Sequence, residues 1–130
     1  MKTNLDSIYK TSENLEKNGV WFDLTETTGF LVRPFKGSNP RVKAAMANYY
    51  KPYARQIEAG TLEIKKQQEI NIKLFMDACL VEWRGVEIDG KEVAFTKETG
   101  LQLFQSLPEL FDTLWKYAND YTSYKEDVGN

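Results

Sequence analysis

Histidine is absent from the 130-residue chain, and cysteine occurs once, as Cys79. Without histidine there is no Ser-His-Asp triad, and the commonest zinc ligands are missing. A lone cysteine cannot close an intrachain disulfide, which fits a reducing compartment. It lies in the apolar run "LFMDACLVEW", where a thiol serves as a small hydrophobe with no imidazole to activate it. The glycines stand singly at turn positions, so no glycine-rich phosphate loop forms. No apolar run approaches the ~20 residues needed to cross a bilayer, and "MKTNLDSIYK" lacks the apolar core of a signal peptide. Lysine and arginine total 17 against 19 acidic residues, a net charge of −2 with both signs interspersed, which excludes a dominant phosphate-binding face. The nearest approach to a basic cluster, Lys65-Lys66, is followed by Gln67, Gln68 and Glu69 and reads as a solvated helix face. A non-enzymatic protein is expected, with no cofactor, no metal, no nucleic acid and no membrane.

What is present is an ordinary soluble balance, 42% apolar and 28% charged. The length suits one globular domain, here 1–121, followed by a polar, flexible tail at 122–130. The pattern predicts an α+β, mostly helical fold. In residues 4–18 only Leu5, Ile8, Tyr9 and Leu15 offer apolar anchors, enough for a short helix or turn ended by Gly19. "VWFDL" and "FLVRPF" read as a small N-terminal β-hairpin, with Val20, Phe22 and Leu24 on one face and Pro34 forcing the second strand to an edge or an early end.

Asn39 and Pro40 open a helix over 40–58, whose stripe is Val42, Met46, Tyr49, Tyr53 and Ile57, kinked or split at Pro52. Thr61 is the expected cap of a helix over 61–83, apolar almost all round in its second half and so either central or half covered by another chain. Asp89-Gly90 sets a type I′ turn in a short β-hairpin at 84–95, pairing Ile88 with Lys91, Glu87 with Glu92 and Val86 with Val93. The facing Glu87 and Glu92 have no third ligand nearby and read as a mildly unfavourable solvent-exposed pair. Thr96 caps a helix at 97–106, and Pro108 starts a last amphipathic helix at 108–121.

The run "VEWRGVEIDGKEVAFTKETGLQLFQSLPELFDTLWKYAND" resembles the tail assembly chaperones of long-tailed bacteriophages. In that family a helix ends in tryptophan, then come a Gly-Val, a "DGK" turn, a phenylalanine leading into a helix, a Leu-Pro and a final amphipathic helix. Those positions here are Trp83, Gly85, Val86, Asp89, Gly90, Lys91, Phe95, Leu107, Pro108, Leu110, Phe111, Ala118 and Asp120. Prolines that often follow the turn and open the next helix are missing, with Val93 and Lys97 near those places. Upstream, "LEKNGVWFDL" and "NPRVKAAMANYYKPY" extend the likeness to roughly residues 5–121.

The resemblance implies a non-catalytic chaperone of the host cytoplasm, absent from the mature virion. It would coat the tape measure protein, keep it soluble and recruit tail tube (major tail) protein, with self-association as a further expectation. A structural minor tail or connector protein of the virion is the alternative. A protein that holds a helical client needs an apolar groove. The candidate partner-binding residues are Leu74, Phe75, Met76, Leu80 and Trp83, with Leu110, Phe111, Leu114 and Trp115 on the last helix. The competing reading of the same residues is the core of one small domain.

Overall fold

A computed structural model describes residues 2–6 and 10–125. The chain is α+β and mostly helical. Helix α1 (Glu13–Asn18) is capped by the Ser12 side chain and stops at Gly19; it buries none of its residues. Leu5 is exposed, while Ile8 and Tyr9 lie outside the described residues. Strands β1 (Val20–Asp23) and β2 (Gly29–Val32) form the expected hairpin, but Leu24 lies beyond β1 and is exposed. Pro34 ends β2 early rather than placing it at an edge, since β2 is the middle strand of the order β1-β2-β3.

Asn39 accepts a hydrogen bond from the Arg41 amide and starts α2 (Pro40–Tyr49). Pro52 splits the next stretch into a 3₁₀ turn (Lys51–Tyr53) and α3 (Ala54–Ala59), because its ring removes a backbone donor. The stripe therefore runs out at Tyr53, and Ile57 is exposed. Thr61 closes α3 instead of opening the next helix: its amide donates to the Gln56 carbonyl across the left-handed Gly60.

Helix α4 (Ile64–Ala78) is central, burying Ile70, Ile72, Leu74, Phe75, Met76 and Ala78. The expected continuation to residue 83 is corrected by the structure, in which Leu80–Arg84 is strand β3, antiparallel to β2. A bulge explains the misreading. Val32 pairs with Leu80 while Leu31 pairs with Glu82, so Val81 is the extra residue. One extra residue shifts the alternation by one, and Leu80 and Trp83, three apart as on a helix, both reach the core.

Trp83 then holds the second hairpin. Its indole N–H donates to the Val93 carbonyl at 2.9 Å, and its ring meets Phe30 and Phe95 edge-on at 6.1 and 5.1 Å. The hairpin, β4 (Glu87–Ile88) and β5 (Lys91–Glu92), has the expected register and positive φ at both Asp89 and Gly90. Gly85, with φ +63°, lets the β1–β2 loop cross: an added Cβ would stand 1.9 Å from the Thr27 carbonyl oxygen. Helix α5 (Lys97–Ser106) begins in a capping box between Thr96 and Thr99, and buried Gly100 lies close against Met76 of α4.

Helix α6 (Pro108–Asn119) buries Phe111, Leu114 and Ala118. Part of the polar tail expected from 122 is built into the fold. Tyr121–Tyr124 is a 3₁₀ turn, Tyr124 is fully buried beside Phe22, and its carbonyl accepts from the Ser12 amide at 2.9 Å. The rest of that expected tail, 126–130, lies outside the described residues. No helix among the described residues is long and apolar enough to cross a membrane.

Gly85 and Gly60 share a left-handed backbone but differ in surroundings, since nothing stands within 4 Å of a Cβ at Gly60. Gly60→Ala is expected to cost about 1–2 kcal/mol from backbone strain alone. Gly85→Ala must also displace the crossing loop and should cost about 3 kcal/mol or more. Equilibrium urea unfolding of the two variants measures the difference.

Candidate functional site

Most of the residues expected to form a docking face are used inside the molecule. Leu74, Phe75, Met76, Leu80, Trp83, Phe111 and Leu114 are all buried, while Leu110 and Trp115 are half-buried and pack against the core. Phe75 touches the rings of Phe104, Phe111 and Trp115, which accounts for the apolar half of α4 by contacts within the chain. In this fold those seven side chains are spent mainly on core contacts, though Phe111 and Trp83 each also reach the lining of a surface groove.

Polar side chains gather where α2, α4 and α5 meet. The Tyr49 hydroxyl donates to Asp77 at 2.5 Å, and the Lys97 ammonium meets the other Asp77 oxygen at 2.7 Å. The hydrogen bond to Asp77 raises the pKa of the Tyr49 phenol, and it likewise raises that of Lys97. Both partners therefore stay protonated as donors to one carboxylate. That arrangement pins three helices together and does not create a general base. Beside it, the Tyr50 hydroxyl donates to Asn71 at 2.9 Å.

Cys79 is buried where α4 gives way to β3. Burial pushes its thiol up to about 12, against the opposing pull of the Arg41 and Arg33 charges. An inert structural thiol results. Arg41 caps the same junction, its Nε donating to the Ala78 carbonyl at 2.8 Å. Glu87 and Glu92 face each other on exposed β4 and β5. No group of three or more potential metal-ligating side chains gathers among the described residues.

Two grooves flank the junction of α5 and α6. One, about 380 Å³, lies against α4 and mixes Lys65, Glu69 and Asp112 with Ile72, Phe104, Pro108 and Phe111, the last a residue expected at a docking face. The other, about 540 Å³, runs between the second hairpin and α5. Glu87, Ile88 and Asp89 form one wall and Leu103, Ser106 and Leu107 the other. Leu107 is 48% exposed, and Ile88 is half-buried. Both volumes fall in the usual range for ligand clefts, roughly 300–1,000 Å³.

By its helical spacing from Phe104 and Phe111, Leu107 reads as part of either apolar stripe, and the structure corrects that reading by leaving it exposed. It sits between two helices and directly before Pro108, at φ −127° and ψ 73°, outside the helical region, so neither helix turns it into its buried stripe. The contribution of Ile88 depends on how the hairpin leans on α5, which local pattern does not encode.

The model of a family described as YdaY prophage protein matches residues 37–129, more than half of the chain. The chain belongs to that prophage family. The match begins after the first hairpin and takes in α2 through α6, so both grooves lie within it. Comparison with curated proteins yields no match, and neither does comparison with solved structures.

The raised pKa values of two buried groups fix a pH dependence. Burial raises that of the Tyr124 hydroxyl, which has no hydrogen-bond partner among the described residues, as it does that of Cys79. A thiol titrating near 8.5 when unfolded but at about 12 when folded favours folding fully below the first value and loses that contribution as pH rises toward the second. Stability should therefore be level near neutrality and fall above about pH 9. Tyr124→Phe, which removes an unpaired buried hydroxyl, should be neutral or stabilising by about 1 kcal/mol and should soften the alkaline limb. Urea unfolding across pH 7–11, with and without the substitution, checks both.

Proposed function

We propose that this prophage protein is a non-catalytic tail assembly chaperone. It binds the phage tape measure protein, keeps that long helical client soluble, and helps bring tail tube subunits to it. The observation that carries the reading is an overlap. The prophage family match at 37–129 contains the whole run from Trp83 to Asp120 that resembles tail assembly chaperones. The residues of that run also work as one unit: Trp83 docks the hairpin, Thr96 caps α5, and Leu107-Pro108 turns the chain into α6.

A client-binding role agrees with the chemistry available. The Tyr49–Asp77–Lys97 cluster is a structural pin, the thiol is buried, and the accessible features are open grooves beside α5. The protein then acts in the bacterial host cytoplasm and leaves before the virion is complete.

Co-expression with the tape measure protein encoded in the same prophage provides the test. The expected result is a several-fold rise in soluble tape measure protein, which co-purifies with this chain. Unchanged client solubility without co-purification would overturn the reading. So would stoichiometric presence of the chain in purified particles by mass spectrometry, which belongs to a structural tail or connector component.

A further inference from the structure

We propose that the groove between the second hairpin and α5 docks an amphipathic helix of a partner protein whose polar flank carries lysine or arginine. This rests on the chaperone reading and adds where the client helix lies and which charge it bears.

The apolar part of the groove comes from Ile88, Leu103 and Leu107, and Leu107 is among the most exposed large hydrophobic side chains described. Both walls are built in advance, one by a capped helix and the other by a hairpin held through Trp83. The charged residues that line it have one sign. Glu87 and Asp89 line the groove, and Glu92 faces Glu87 across the ladder. None of the three joins a salt bridge among the described residues. The hairpin's own cation, Lys91, stands across from Ile88 and does not line the groove.

Like charges opposed on a ladder repel, so an incoming cation relieves a repulsion the free protein carries. The groove beside α4, in contrast, already mixes Lys65 with Glu69 and Asp112 and favours neither sign. A helix suits the groove better than an extended peptide. Strand addition needs a free sheet edge, and β4 and β5 are only two residues long each.

The test uses the full chain and a fluorescent designed helix of about 18 residues, with leucines at i, i+3, i+4 and i+7 and lysines beside them. A twin peptide carries glutamate in place of lysine. Fluorescence anisotropy at low salt should show the cationic peptide binding at least tenfold more tightly than its twin. Glu87→Gln with Asp89→Asn should weaken it about fivefold and flatten its salt dependence, while asparagine keeps the left-handed turn. Leu107→Ser should weaken it about tenfold. Serine is a favoured cap at this position, where leucine provides no side-chain cap, so the fold survives. Ile64→Ser, changing an exposed residue of α4 outside the groove, should leave binding unchanged.

Equal binding of the two peptides overturns the charge assignment, and unaltered binding by Leu107→Ser overturns the location. A concentration-dependent dimer that Leu107→Ser abolishes, seen by sedimentation, also overturns it by giving the groove to a second copy. If Leu107→Ser solubilises the tape measure protein as well as the native chain does, the groove proposal fails and the chaperone reading stands. If the cationic helix binds as described while tape measure protein stays insoluble, the chaperone reading fails and the groove remains.

Discussion

Phe75 meets Phe104, Phe111 and Trp115 edge-on at ring separations of 5.6, 5.6 and 6.2 Å, and through these contacts α4, α5 and α6 are locked together. Aromatic pairs of this geometry each add about 0.5–1.5 kcal/mol beyond the area they bury. With Phe30 closing on Phe104 from β2, the same cluster joins the helices to the sheet. Once it forms, the apolar half of α4 has a partner on each side, and the molecule cannot offer that half to another chain without opening its core. What remains accessible is the rim, where the second hairpin and the α5–α6 junction leave grooves.

The hairpin answers to the same constraint. Trp83 reaches it because β3 leaves α4 within two residues and carries a bulge at Val81. With the bulge, Trp83 packs under Phe30 and Phe95 and holds Val93; without it, the indole would point to solvent. The hairpin is thus anchored at its base, and its charged tip stands beside Leu103 and Leu107 as a fixed wall. In this small helical protein the hairpin builds one side of a cleft.

Much of this was legible in the residues. The caps at Asn39 and Thr96, the break at Pro52 and the Asp89-Gly90 turn with its register each obey a local chemical rule, and each appears in the fold. The errors cluster where local rules are overridden. Leu80 and Trp83 have helical spacing, and only the bulge, set by pairing with β2 some fifty residues earlier in the chain, reconciles that spacing with a strand. Thr61 looks like a cap, but Gly60 claims its amide for the end of α3. Tyr124 reads as part of a polar tail, yet a slot beside Phe22 receives it. The candidate site was harder still. A stripe that is apolar enough to suggest docking is also apolar enough to be core, and Leu107 shares the helical spacing of Phe111 and Leu114 although it is exposed.

The proposed docking of a client helix on the rim is open to direct measurement. Amide hydrogen exchange of the chain, alone and bound to tape measure protein, separates rim docking from an opened core. Docking on the rim slows exchange at residues 86–90 and 102–107 and leaves 74–83 unchanged. Faster exchange through 74–83 on binding, without protection at the hairpin, would contradict it.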